Sequence, residues 1–247
     1  VETKNIIVHG RSRDSIPKIR TPINCVITDP PFGIDVQMNS AVMPTSRAVN
    51  KKIANDNNPK TAIEIFYQEM GPILAKLDQQ ADIYVFTAWN VLDWWMPAVK
   101  KLSYLREDGT LDTLSEPRWD ISLKMMLIWD KGYPGKGDLE ANWGCGYEPI
   151  LYLKKGRRPN PYRRSGIIHV DKVPAGQNIH PTEKPVQLLE ILMEMSTIEG
   201  EFVVDPFSGS GSTSVAAKRL GRNSLAFDVD EQWIAPSRAR LEQLGLF

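Results

Sequence analysis

The sequence predicts an α/β domain built on a doubly wound, mostly parallel sheet. Short apolar runs alternate with segments whose apolar residues recur at helical spacing. Two of those runs end in motifs rich in Pro or Gly, at the strand ends where an open parallel sheet binds its ligands. The 247 residues suffice for one such domain, with a core large enough to need no disulfide or metal staple.

Taken in order, the first strand is expected at residues 5–8 (NIIV). The second is expected at Ile23–Thr28 (INCVIT), a β-branched run that stops at Asp29-Pro30-Pro31. Further strands are expected at 83–87 (IYVFT), 125–129 (MMLIW), 149–153 (PILYL), 201–204 (EFVV) and 224–227 (SLAF). Helices are expected at 64–78 and at 185–196, the latter with Pro185 at its first position. Two more are expected at 212–220 and 231–244, with Pro236 disturbing the start of the last.

Composition narrows the classes. Thirty basic and 30 acidic residues cancel, which excludes a basic-tail nucleic-acid binder but allows a local basic face. Cys25 and Cys145 belong to no CxxC pair. No metal centre is expected, and free thiols in a reducing compartment are. There is no run of 18 apolar residues and no basic-then-apolar leader pattern, so a cytoplasmic protein without a membrane span is expected.

Two segments read as loops. Residues 36–61 hold five asparagines with Arg47, Lys51, Lys52 and Lys60, and this loop is a candidate flap over the site. Residues 154–177 are rich in Arg, Pro and Gly, with Lys154, Lys155, Arg157, Arg158, Arg163 and Arg164 ahead of the first acid, Asp171. Trp94, Trp95 and Trp129 read as core or interface, whereas Trp143 and Tyr147 stand in a Gly-rich stretch that can approach a large ligand. Glu148 reads as structural.

The motif Asp205-Pro206-Phe207-Ser208-Gly209-Ser210-Gly211-Ser212-Thr213 follows a strand and opens a helix. Gly209 and Gly211 let the backbone turn tightly against a ligand, and the helix start presents free N–H groups. Asp205 can accept from an ammonium group, and Asp228 or Asp230 at the next strand end can take ribose hydroxyls. A dinucleotide loop would place Gly where Ser214 stands, and a phosphate loop would place Lys directly after Gly211. S-adenosylmethionine has a ribose, an ammonium and a carboxylate but no phosphate, and fits best. A ligand-free tight turn is the plain alternative.

Thr28-Asp29-Pro30-Pro31-Phe32 sits at the other predicted strand end. An exocyclic amino nitrogen of a nucleobase is a poor nucleophile, because its lone pair is delocalised into the ring. Acceptors aimed at its hydrogens favour the tetrahedral nitrogen that attack requires. The Asp29 carboxylate and the Pro30 carbonyl can be those acceptors. Pro31 stiffens the turn, and Phe32 can stack on a flipped base for about 1–3 kcal/mol. A structural Asp-Pro turn explains this motif equally well when it is taken alone.

Together the two motifs, in this order, resemble the β group of S-adenosylmethionine-dependent DNA amino-methyltransferases, in which the catalytic motif precedes the cofactor motif. Residues 28–34 (TDPPFGI), 127–132 (LIWDKG), 180–185 (HPTEKP) and 204–213 (VDPFSGSGST) carry the resemblance, which touches nearly the whole chain. It implies a Rossmann-like, circularly ordered sheet of seven strands, one of them antiparallel, in a single domain over residues 1–247. Asp29, Pro30, Pro31 and Phe32 would hold the target base. Asp205, Phe207, Ser208, Gly209, Gly211 and Thr213 would line the cofactor site, with Asp228 on the ribose and Thr182 and Lys184 beside the methionine part. Family members often carry Gly-Asp near the N-terminus, where the acid meets the cofactor's adenine; here the place reads Gly10-Arg11-Ser12. Asp-Pro-Pro-Phe points to adenine N6 ahead of cytosine N4.

The resemblance makes DNA the expected partner. Residues 154–179 would form a short target-recognition segment, with Lys154, Lys155, Arg157, Arg158, Arg163 and Arg164 on phosphates. Few side chains there can read base edges, so a short recognition sequence or weak selectivity is expected. A homodimer is allowed, and any restriction nuclease would be a separate chain. Two readings compete from outside the class: a DNA-binding protein of this fold without turnover, which intact Asp29, Pro30 and Phe32 oppose, and a nucleotide-binding oxidoreductase, which leaves Asp-Pro-Pro-Phe unexplained.

Overall fold

The chain opens with strand β1 (Asn5–His9), a single-turn helix α1 (Ser12–Ser15) and strand β2 (Ile23–Thr28). The computed structural model describes residues 4–34, 56–134, 141, 143–174, 176–180 and 182–243. Most of the 36–61 loop therefore lies outside the described residues. Its end is the start of helix α2 (Pro59–Lys76). That helix begins earlier than the apolar spacing indicated, because Asn58 caps it by accepting from the Thr61 N–H at 2.9 Å and Pro59 stands in its first turn.

Then follow β3 (Leu77–Phe86), α3 (Leu92–Lys100), β4 (Ile121–Asp130), β5 (Tyr147–Lys155) and β6 (Ile167–His169). The C-terminal part runs α4 (Val186–Ser196), β7 (Phe202–Asp205), α5 (Ser212–Arg219), β8 (Asn223–Asp228) and α6 (Glu231–Gln243). Helix α3 is absent from the sequence expectation, because Pro97 and a Trp pair obscure its periodicity. Pro185 proves to be the residue just before α4, one place earlier than expected.

Among the described residues, eight strands form one sheet in the order β1-β8-β7-β2-β3-β5-β4-β6. The sheet thus has eight strands where seven were expected. The extra one is β6, three residues at the edge that pair in parallel with β4 at 128–130. It is too short, between Gly166 and Pro174, to leave a periodic signal. Strand β5 alone runs against the rest, antiparallel to both β3 and β4, and every other pairing is parallel.

Alternation along β2 divides the core. Val26 faces the layer made by α2 and α3, with Phe66, Met70, Trp95 and Val99 buried against Ile83 and Val85. Cys25 and Ile27 face the opposite layer, where Leu188, Leu192, Ala216 and Ala217 of α4 and α5 pack on Phe86, Ile150 and Val203. Helix α6 closes the end over β1 and β8, with Ile234 and Leu241 on Ile7 and Ala226. Trp95 and Trp129 are core residues, as their context indicated, while Trp94 is half exposed.

Candidate active site

Strands β2 and β7 are neighbours, with Val26 opposite Val204. Asp29, just past β2, and Asp205, the last residue of β7, therefore stand on the same rim of the sheet. From β2 the chain crosses toward β3, and from β7 it crosses toward β8 on the other side. Such a switch point leaves a crevice between the two loops. Here the crevice is a cavity of about 520 Å³, lined among others by Asp29, Phe32, Glu148, Lys184, Asp205 and Asp228.

One half of the cavity is built by the Gly-rich loop. Thr213 Oγ1 donates to Asp205 Oδ2 at 2.6 Å, and the Phe207 N–H donates to Asp205 Oδ1 at 3.0 Å. Burial pushes the Asp205 carboxyl up to about 7, and these two donors oppose the rise. Gly211 has φ +72°, and a Cβ there would lie 2.9 Å from both Ile7 and Ser237. Asp228 takes the Gly209 N–H on Oδ2 and the Asp230 N–H on Oδ1, each at 2.8 Å, which sets the loop against the end of β8. Ser208 Oγ is buried without a hydrogen-bond partner among the described residues.

The other half is built by the Asp-Pro-Pro-Phe loop. Trp95 Nε1 donates to the Phe32 carbonyl at 3.2 Å. Asp56 Oδ1 receives the Gly33 N–H at 2.6 Å and the Ile34 N–H at 3.3 Å. Asp29 Oδ2 lies 2.5 Å from Lys184 Nζ. Its other oxygen, Oδ1, is buried and has no hydrogen-bond partner among the described residues. Burial pushes the Asp29 carboxyl up to about 6, an effect the Lys184 charge only partly offsets.

The HPTEKP segment joins the halves. Glu183 accepts the Ile179 N–H on Oε2 at 2.8 Å, and its Oε1 lies 2.8 Å from Arg240 Nη2 on α6. The His180 ring stands edge-on to Trp233 at 4.5 Å, with Thr182 Oγ1 3.1 Å from its Nδ1. Burial, with the Lys184 charge, pulls His180 down to about 4, so it is neutral at neutral pH. Thr182 is among the residues that line the cavity. Lys184 lines the same cavity, and its ammonium goes to Asp29 and Glu148, on the Asp-Pro-Pro-Phe side.

Three more residues join the cavity wall: Glu148, whose sequence reading puts a structural role ahead of a polar contact near the site, and Lys131 and Glu69, which the sequence does not mark as site residues. Glu148 reaches Lys184 at 3.0 Å and Lys131 at 3.0 Å, and thus belongs to the site as well as to the fold. Lys131 is the lysine of the LIWDKG stretch. Glu69 of α2 answers the Gly10-Arg11-Ser12 departure: it accepts from Ser12 Oγ at 2.7 Å and the Arg13 N–H at 3.1 Å, and pairs with Arg11 at 3.5 Å. An acid thus does meet that segment, but from another element. Nothing in the spacing of α2 marks Glu69 beyond its place on a buried face.

The basic segment is not brought to the cavity. Because β5 runs antiparallel, its C-terminal residues lie at the amino ends of the other strands, with Lys155 opposite Ala81 and Ile121. That is about 20 Å from the rim, at roughly 3.3 Å per strand residue. Lys154 bonds the Arg158 carbonyl and Asn160 and lies 3.7 Å from the buried Asp82. Lys155 donates to the Leu77 carbonyl at 2.9 Å, and Arg158 pairs with Glu201 at 2.8 Å. Arg157 and Arg163 are exposed, and Arg164 stacks over the Tyr162 ring. The rim instead presents exposed Trp143, Tyr133 and Tyr147, with Lys172 at the cavity.

Among the described residues no cluster of His, Cys, Asp and Glu is placed to hold a metal, and no helix is long and apolar enough to cross a membrane. An open α/β sheet with a cavity at its switch point, walled by a Gly-rich loop and by Asp-Pro-Pro-Phe, is the setting in which the family match falls. The chain belongs to the DNA methylase family, whose model matches residues 23–237. It is 36% identical over 116 residues to the Type II methyltransferase M2.DpnII of Streptococcus pneumoniae, which covers 47% of this chain and 41% of that protein. It is 29% identical to the putative methylase YubD of Escherichia coli strain K12 over 89% of this chain and 82% of that one. The fold is that of the solved M1.HpyAVI complex with SAM, with TM-score 0.65, 19% identity, and 95% and 98% of the two chains covered. It is also that of the cytosine-N4-specific PvuII DNA methyltransferase, with TM-score 0.69, 16% identity, and 96% and 86% covered.

Proposed function

We propose that this protein transfers a methyl group from S-adenosylmethionine to an exocyclic amino group in DNA, with adenine N6 as the acceptor. The observation that carries the reading is the orientation of Asp29. One carboxylate oxygen is held by Lys184, the other is buried and unpartnered among the described residues, and the side chain lines the cavity that Asp205 and Asp228 also line. A buried acceptor without a donor is costly. A ligand N–H removes that cost.

The residues of the Gly-rich half fit the cofactor. Asp205 and the unpartnered Ser208 Oγ supply acceptor and hydroxyl for its ammonium and carboxylate, and Asp228 stands at the strand end suited to ribose hydroxyls. When bound, S-adenosylmethionine supplies an activated methyl group. Asp29 and the Pro30 carbonyl would hold the two amino hydrogens so that the nitrogen lone pair points out of the ring plane. Phe32, tied down through Trp95, would stack on the base. The loop fixes reactants in attack geometry, which is where most of the rate gain is expected. The proton released after methyl transfer can pass to Asp29 or to water.

DNA would lie on the carboxyl rim of the sheet, where exposed Trp143, Tyr133 and Tyr147 surround the opening. Asp-Pro-Pro-Phe supports adenine over cytosine. The test is methyl transfer to DNA followed by nucleoside mass spectrometry, with Asp29→Ala as control. N6-methyladenine in the wild-type product and a loss of about 10²–10³ in the variant are expected. N4-methylcytosine would move the acceptor to cytosine, and an unimpaired variant would remove Asp29 from the mechanism.

A further inference from the structure

Four buried or half-buried charges alternate in sign across the Asp-Pro-Pro-Phe half of the cavity. Asp29 Oδ2 is 2.5 Å from Lys184 Nζ, Lys184 Nζ is 3.0 Å from Glu148 Oε1, and Glu148 Oε2 is 3.0 Å from Lys131 Nζ. They come from four places in the chain: the loop after β2, the turn before α4, the start of β5 and the end of β4. Lys184 is clamped laterally as well, 5.0 Å from the Phe86 ring centre and 5.9 Å from that of Phe32. A lysine this buried has little rotational freedom, and two carboxylates and two rings define its place.

Lys184 takes Asp29 Oδ2, Oδ1 is buried without a hydrogen-bond partner among the described residues, and the side chain as a whole lines the cavity. We propose that Lys184, counter-charged by Glu148, is a positioning residue for Asp29: it fixes the carboxylate at the cavity wall in the orientation from which it takes the amino group. Lys131 plays the same part for Glu148 one step further out. This inference rests on the amino-methyltransferase reading of the site.

The groups facing Asp29 are Lys184, Glu148, Lys131 and, on β7, Asp205, with neutral His180 beyond Lys184. The two partners act on Asp29 in opposite senses. Lys184 favours its ionised form and Glu148 disfavours it. Removing one or the other must therefore displace the acid limb of the rate profile in opposite directions. Lys184 itself is held above its ordinary value: burial pulls it down, and the charges of Asp29 and Glu148 more than reverse this.

The experiment measures single-turnover methyl transfer to DNA against pH for the wild type, Lys184→Met, Lys184→Arg and Glu148→Gln, with cofactor binding measured on each by calorimetry. Lys184→Met should lose about 10²-fold in rate, as expected for a misplaced acceptor, and its acid limb should move to higher pH. Lys184→Arg should restore the wild-type limb, and Glu148→Gln should move it to lower pH. Cofactor affinity should be unchanged throughout. If Lys184→Met does not fold, the opposed behaviour of Lys184→Arg and Glu148→Gln carries the test. Identical limbs in all folded variants, or a loss of cofactor affinity in place of rate, would overturn the positioning role. A wild-type protein that methylates no DNA amino group would instead overturn the function on which the role depends.

Discussion

Thr213 Oγ1 donates a 2.6 Å hydrogen bond to Asp205 Oδ2 across the first turn of α5. The bond holds the last residue of β7 in place under the Gly-rich loop, and it stabilises a carboxylate that burial would otherwise neutralise. Thr213→Val keeps the shape and removes the donor. The loss leaves a buried acceptor unpaired, which costs about 1–3 kcal/mol. We expect S-adenosylmethionine to bind at least about tenfold more weakly, while Thr213→Ser binds as the wild type does. Calorimetry on the two variants decides it, and equal affinities would detach Asp205 from the cofactor.

Cofactor affinity should depend on pH through Asp205. Its carboxyl titrates near 7 in the free protein, because burial outweighs the two donors. An ammonium ligand needs the ionised form. Affinity should therefore be greatest above pH 7 and fall as pH drops below it, approaching tenfold per unit. A flat profile between pH 5.5 and 8.5 would contradict this.

His180 makes the fold acid-sensitive. Its folded value is pulled to about 4 by burial and the Lys184 charge, below the ordinary 6.5. The unfolded chain thus binds a proton more readily between those values, and stability falls as pH drops from 6.5 toward 4. The full effect is at most roughly 3 kcal/mol. Urea unfolding of the wild type at pH 7 and 4.5, beside His180→Gln, measures it. The variant should lose less stability between the two pH values.

The DNA face can be mapped by charge and by ring removal. Arg163→Glu with Arg164→Glu alters exposed residues of the segment between β5 and β6, next to Tyr162, which bonds Glu194 near the end of α4. DNA affinity and its salt dependence should change little. Trp143→Ala removes a fully exposed ring beside the opening. It should weaken DNA binding by about 1–3 kcal/mol if the ring stacks on a base, with cofactor binding unaffected. Titrations at two salt concentrations separate the two surfaces, and the reverse ranking would return the interface to the basic segment.

Much of the architecture was legible because strands and helices are written in local periodicity. Ile23–Thr28 was read to the residue, since a continuous β-branched run ended by Asp-Pro-Pro admits little else. The β5 strand was also located, but its consequence was not. Only pairing with β3 and β4 reveals that it runs antiparallel, and that reversal carries Lys154 through Arg158 to the far edge. A run of positive charge looks the same at either end of a strand.

The class of fold and the places of the two loops can be read from the chain alone, because Asp-Pro-Pro-Phe and the Gly-Ser-Gly turn are local backbone requirements. Tertiary structure alone decided which charges meet. Strands β2 and β7 lie side by side, so their loops share one cavity. Lys184 turns to Asp29 and Glu148 although its motif reads as part of the cofactor site. Glu69 of α2 meets Ser12, Arg13 and Arg11, residues distant in sequence. Ion pairing inside a protein is settled by which groups are buried together, and burial is a property of the packed chain.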